Sequence, residues 1–164
     1  MTRTILTILA LAFAALLYVV PVHASPAERA LAALCPHAMA LSPLVEASAR
    51  RYLIHPTQLV ATIAAESHCE SRAENPRTGA RGLGQILPTG SAAIGYEPDE
   101  LWDAGTNLDA TSRHLARLGV LVGGFGPVTR LYHGHKRSAG WRHDRHVRKV
   151  LALLRRCFNE ETGT

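Results

Sequence analysis

The stretch AAESHCESRAENPRTGARGLGQILP, residues 64–88, places an acidic side chain where an apolar helix meets a glycine-rich loop. Glu66 follows Leu59 by seven residues and Ile63 by three, so it lies on the apolar side of the helix that it ends. A carboxyl group on an apolar face loses hydration in its charged form, and we therefore expect a raised pKa for Glu66. Such a group can give up a proton and later take one back, although a buried glutamate paired with an arginine, or a helix-end glutamate that turns to water, is the commoner arrangement.

Helical periodicity continues on both sides of this stretch. Ser42-Pro43 is typical of a helix start, and Pro56 begins a second helix that ends near Glu66. Further helical patterns cover residues 83–95 (a short, interrupted helix), 108–121, 127–132 and 144–158. No run alternates apolar and polar residues over the length of a strand, so the chain is predicted to be mainly α.

The chain is expected to contain one domain preceded by an export signal. Residues 1–24 combine an early Arg3, an apolar run and small residues at Val22 and Ala24, the two positions that a signal peptidase reads, which indicates a signal peptide cleaved after Ala24. An uncleaved membrane anchor is the alternative. Residues 25–41 are predicted to be an N-terminal extended segment because prolines interrupt them, residues 42–158 to form the folded domain that contains Glu66, and residues 159–164 to be a tail.

Three cysteines, Cys35, Cys69 and Cys157, are present in this chain. An exported protein meets an oxidising environment, so we expect one disulfide and one remaining thiol. The helices that start at Ser42 and Pro56 are joined by a short turn and should run antiparallel, which brings Cys35 and Cys69 to the same end of the pair. This packing favours a Cys35–Cys69 bond, while pairing of either residue with Cys157 stays open.

The motifs around Glu66 carry a family resemblance. The first comprises Glu66-Ser67, Ala73, the block Gly79-Ala80-Arg81-Gly82-Leu83-Gly84-Gln85 and Pro88. Three more follow in order: Asn107 with His114-Leu115, Tyr132-His133-Gly134, and RHVRKVL at 145–151. Together they resemble the soluble lytic transglycosylases, a goose-lysozyme-like family with the SLT domain, over roughly residues 42 to 155. The resemblance implies a lysozyme-like fold in a single domain.

Some positions depart from the family pattern. They are Gly84 in place of Met, Cys69 in place of an aromatic residue, Gly90 in place of Thr, His133 in place of Asn, and one extra residue between Ala73 and Gly79. None of them removes the glutamate, the glutamine or the tyrosine of the motifs. The departures therefore bear on substrate preference more than on reaction type.

The resemblance also implies roles for individual residues. Glu66 would be the sole catalytic acid and base, Gln85 would line the saccharide site, and Tyr132 would hydrogen-bond near Glu66 and hold it. Ser67 would support the loop through its hydroxyl. The implied reaction cleaves the β-1,4 bond from N-acetylmuramic acid to N-acetylglucosamine in peptidoglycan and closes a 1,6-anhydro ring, with no cofactor and no metal.

The implied setting is the periplasm, at the cell wall, with a monomer acting on peptidoglycan glycan strands. Enzymes of this kind open the wall locally for an assembling machine, so a secretion or conjugation apparatus is a further candidate partner. General wall turnover and a phage origin stay open beside it, and so does the choice between endo- and exo-cleavage.

Two alternatives keep the same fold. A goose-type lysozyme would need a second carboxylate to position water, about 6.5–9.5 Å from the first for inversion. Its candidates are Glu70, Glu74, Asp99 and Asp103. A non-catalytic wall-binding module could stack Trp102 or Trp141 on sugar rings, but a pure binder gains little from Glu66.

Two further readings come from the basic C-terminal part of a chain whose formal net charge is +5. Residues 130–156 hold nine Arg or Lys against one acid, which can track phosphates, but export disfavours nucleic acid as a partner. A solvated helix face or attraction to an anionic wall polymer explains the same charge. The ligand-like spacing of His133, His135, His143 and His146 straddles a loop, so zinc is disfavoured.

Overall fold

The computed structural model describes residues 24–122 and the single residue 152. Within residues 24–122 the chain forms four α-helices and three short 3-10 helices, with isolated bridges and no strand. The helices are α1 (Pro26–Leu34), α2 (Ser42–Arg51), α3 (Pro56–Ser67) and α4 (Ala104–Val122), and the 3-10 helices are Pro36–Leu41, Ser91–Ala93 and Pro98–Trp102. The mainly α prediction is confirmed.

The extended conformation predicted for residues 25–41 is wrong. Pro26 occupies the first turn of α1, where a missing N–H breaks no helical hydrogen bond. Ser25 caps this helix by accepting from the Glu28 N–H (3.1 Å), and the Glu28 carboxylate accepts in return from the Ser25 N–H (2.7 Å). Pro36 in turn begins the 3-10 helix Pro36–Leu41. Both prolines thus start helical segments instead of interrupting them.

The short helix predicted over residues 83–95 is also wrong. Gly82 and Gln85 both have positive φ, at 70° and 51°, which turns the chain out of a right-handed helix. Only the 3-10 helix Ser91–Ala93 forms in this interval. The helix predicted from residue 108 begins earlier, at Ala104, because Asp103 accepts a hydrogen bond from the Thr106 N–H (2.8 Å) at its start.

The hydrophobic core lies between α1, α2, α3 and α4. Helix α3 is its centre, since Leu59, Val60, Ala61 and Ile63 have no exposed surface. Cys35, at the end of α1, is bonded to Cys69, just after α3, so the pair favoured by antiparallel packing is the one that forms. This bond joins the C-terminal ends of the two helices that pack most closely.

Among the described residues, no helix is both long and apolar enough to cross a membrane. Residues 1–23 of the predicted signal, the predicted helix 127–132, Cys157 and nearly all of the predicted helix 144–158 lie outside the described residues. The predicted domain boundaries therefore stay predictions.

Candidate functional site

Glu66 is the penultimate residue of α3. Nine of the twelve residues of this helix are buried, whereas Glu66 itself is half-buried. Its carboxyl oxygen Oε1 is shielded from solvent. The carboxyl group of Glu66 thus lies at the end of a buried helix with one of its two oxygens removed from water.

Ser67, the last residue of α3, connects the helix to the glycine loop at residues 75–84. Its buried hydroxyl lies 3.0 Å from the carbonyl oxygen of Ile63, one turn back, and 2.8 Å from that of Leu83. Leu83 is itself fully buried. The loop is therefore held directly beside the helix turn that carries Glu66.

Asn107 fixes the same loop from the other side, on α4. Its Oδ1 accepts from the Gly84 N–H (2.8 Å), and its Nδ2 donates to the carbonyl oxygens of Arg81 and Leu101 (2.9 Å each). The side chain is almost fully buried. Gly82 is needed next to it, because a Cβ there would lie 2.3 Å from Asn107 Nδ2, in a backbone conformation with φ of 70° that already favours glycine. The Asn107 side chain thus holds the glycine loop in its conformation.

Gln85 is half-buried and has a φ of 51°, which is unusual for a residue with a side chain. Its amide Nε2 donates to the carbonyl oxygens of Ala73 and Gly82 (3.2 Å each). These bonds use both amide hydrogens. Among the described residues no donor reaches Oε1, so the atom that Gln85 can offer to a ligand is a hydrogen-bond acceptor.

The carboxylates considered as a second catalytic group are all exposed. Asp99 accepts from Arg81 (3.2 Å), Asp103 caps α4, and Glu70 Oε1 lies 3.5 Å from His37 Nε2. Trp102, considered for sugar stacking, carries the Arg81 guanidinium over its ring, 5.0 Å from the centroid. One face of that ring is therefore already covered.

His114, from the second motif, lies on α4 and is half-buried. Burial lowers its pKa, and the nearby Arg117 and Arg113 act in the same direction. The imidazole is therefore neutral at pH 7. Tyr132, predicted to hold Glu66, lies outside the described residues, as do Trp141 and the four histidines considered for zinc.

Sequence reasoning missed one polar group, which we name the Asp109 cluster: Arg51, Tyr52, Tyr96 and Asp109. Asp109 accepts from Arg51 (2.7 Å) and from the hydroxyls of Tyr52 (2.7 Å) and Tyr96 (2.5 Å). These residues come from the end of α2, a loop and α4. No local pattern links three such segments, so no sequence signal could have found the cluster.

The comparisons with known proteins bear on this arrangement. Residues 43–129 match the family model described as Transglycosylase SLT domain. The match spans slightly more than half of the 164 residues and contains Glu66, Ser67, the glycine loop and Asn107. No curated protein matches the chain at a significant level.

Proposed function

The chain belongs to the family of transglycosylase SLT domains, which act on peptidoglycan, and from this membership we propose that it is a lytic transglycosylase. In this proposal it cleaves the β-1,4 bond from N-acetylmuramic acid to N-acetylglucosamine and leaves a 1,6-anhydro end. The observation that carries the proposal is the position of Glu66. It is half-buried at the end of a buried helix, beside the glycine loop that Ser67 and Asn107 hold by hydrogen bonds.

Glu66 acts in both steps of the proposed reaction. As a neutral acid it protonates the glycosidic oxygen while the bond from that oxygen to C1 breaks. The N-acetyl carbonyl of the N-acetylmuramic acid whose C1 reacts stabilises the positive charge that develops at this carbon. The ionised Glu66 then takes the proton of the C6 hydroxyl, whose oxygen bonds to C1 and closes the ring. The proton returns to Glu66, and no water is consumed.

The remaining site residues have supporting roles in this proposal. Gln85 accepts a hydrogen bond at Oε1 from a hydroxyl or acetamido N–H of the glycan, since both of its amide hydrogens are bound to backbone carbonyls. Ser67 keeps the glycine loop, which Gln85 directly follows, against α3. Tyr132 hydrogen-bonds near Glu66 and holds its carboxyl.

The lysozyme alternative has less support. Inversion requires a second carboxylate that activates a water molecule. Asp99, Asp103 and Glu70 each have a partner of their own, and Glu74 is exposed. These engagements favour a reaction that needs one carboxylate.

The deciding experiment is mass spectrometry of the muropeptides released from purified sacculi. A lytic transglycosylase leaves anhydro ends that are one water lighter than the reducing ends left by a lysozyme. We expect anhydro products. Reducing ends would replace the proposal with hydrolysis, and no release by folded protein would favour the wall-binding module.

A finer proposal is that the enzyme opens the wall locally for a secretion or conjugation machine. A strain without the protein should then lose assembly of that machine while its growth and total wall turnover stay unchanged. Altered turnover with intact assembly would contradict this role.

A further inference from the structure

The chain leaves α3 through an unusual turn. His68 and Cys69, the second and third residues after Glu66, have φ values of 56° and 63°. Glycine commonly takes this left-handed conformation at helix ends, whereas side chains disfavour it. The His68 N–H donates to the carbonyl of Ala64 (3.2 Å) and the Cys69 N–H to that of Ile63 (3.2 Å), so the turn closes the last carbonyls of α3.

This turn is tied to the end of α1 by two contacts. Cys69 is bonded to Cys35, and both are almost fully buried. His37, two residues after Cys35, donates from Nε2 to the carbonyl oxygen of His68 (3.1 Å). On the opposite side, Ser67 reaches the carbonyl of Leu83. Glu66 lies in the last turn of α3, one residue before Ser67 and two before His68.

We propose that the Cys35–Cys69 disulfide is a positioning element for Glu66. The bond holds two disfavoured left-handed residues in place, and their conformation sets the direction in which the last turn of α3 presents its carboxyl. Opening the bond lets the turn relax, which lowers the rate of the catalytic step but leaves glycan binding through the glycine loop. This inference rests on the proposed function.

The test compares the full chain with the variant Cys35→Ala/Cys69→Ala, which has neither a bond nor a new thiol from this pair. We expect kcat for release of muropeptides to fall roughly 10- to 100-fold because small displacements of a catalytic group have effects of this size. KM should change less than about threefold, since the proposal leaves the glycine loop intact. Circular dichroism below the melting temperature should show an intact helical fold.

Three controls separate positioning from general stability. Val45→Ala removes volume from the core on α2 and lowers stability without touching the disulfide. If its loss of Tm equals that of the double alanine variant, it should still keep the kcat of the native protein. Cys157→Ala tests the remaining thiol and should leave both constants unchanged. Cys35→Ala/Cys69→Gly should recover part of kcat compared with the double alanine variant, because glycine adopts the left-handed conformation readily.

The outcomes are distinct. Equal kcat in the double alanine variant and the native protein would overturn the positioning role, as would an equal loss in Val45→Ala at the same loss of Tm. A glycine variant no better than the alanine variant would also overturn it. A folded native protein that releases no muropeptides would remove the proposed function and this inference with it.

Discussion

The site around Glu66 and the Asp109 cluster both gather partly buried polar side chains from distant segments, but they differ in how those groups are satisfied. Asp109 accepts three hydrogen bonds, one of them from a cationic guanidinium. At the Glu66 site, Gln85 keeps an acceptor to which no described residue donates, and the backbone is left-handed at Gln85, His68 and Cys69. The first arrangement stabilises a fold, whereas the second stores strain of a kind that is common at functional sites.

The ionisation of the two tyrosines and the aspartate follows from the same arrangement. Partial burial raises the pKa of Asp109, but the hydrogen bonds from Tyr96, Tyr52 and Arg51 outweigh it and hold that pKa below its ordinary value. Burial and the hydrogen bond to Asp109 raise the pKa of both Tyr96 and Tyr52. Each proton therefore stays on the tyrosine that donates it, and the cluster does not exchange protons near pH 7.

The largest expected contrast between the two regions is in activity. Glu66→Gln keeps the shape of the side chain but removes its proton exchange, so release of muropeptides should fall roughly 100- to 10,000-fold. Asp109→Asn, the matched control in the other region, should retain kcat within about threefold. Turnover by Glu66→Gln close to that of the native protein would break the contrast.

Removal of the Asn107 side chain, which holds the glycine loop, should have the next largest effect. Asn107→Ala removes the three hydrogen bonds that this side chain makes to the Gly84 N–H and to the carbonyls of Arg81 and Leu101, so the free energy of unfolding should fall by about 3 kcal/mol. Ser112→Ala, which removes one buried hydroxyl bonded to Ser48, should cost about 1 kcal/mol. Urea unfolding measures both values. Equal losses in the free energy of unfolding for the two variants would show that Asn107 does not hold the glycine loop.

The Asp109 cluster should show its effect in the pH dependence of stability. Because the pKa of folded Asp109 is lowered, its stabilisation is fully present above about pH 4 and is lost as the pH falls through the folded value. Asp109→Asn should therefore be about 1 kcal/mol less stable than the native protein at pH 7, with the difference shrinking toward pH 2. A difference that does not change with pH would contradict this role.

The smallest expected effect tests strain alone. Leu53 has a φ of 54° and is 92% exposed, so Leu53→Gly should relieve strain and raise the free energy of unfolding by about 0.5 kcal/mol without changing activity. Gln85→Gly relieves similar strain but deletes the amide, so it should lower kcat/KM. Equal activity of the two variants would remove Gln85 from the site.

Much of the architecture could be predicted from the sequence because it depends on local periodicity. The starts of α2 and α3 follow from prolines at the first turn, and Glu66 falls at the end of α3 as predicted. The same reasoning failed for Pro26, since a proline marks either a break or a start depending on the capping contacts around it. It failed again at residues 83–95, where tertiary hydrogen bonds override helical periodicity.

The sequence by itself determined the helical class, the helix-end position of the glutamate and the family. These features depend on residues close together in the chain or on motifs in a fixed order. Only the tertiary structure decided which atom of Gln85 can bind a ligand and which residues hold the glycine loop. It also decided that two tyrosines and an arginine donate hydrogen bonds to Asp109. Those features depend on contacts between distant segments, which form when the apolar faces of the helices pack, and no local pattern encodes them.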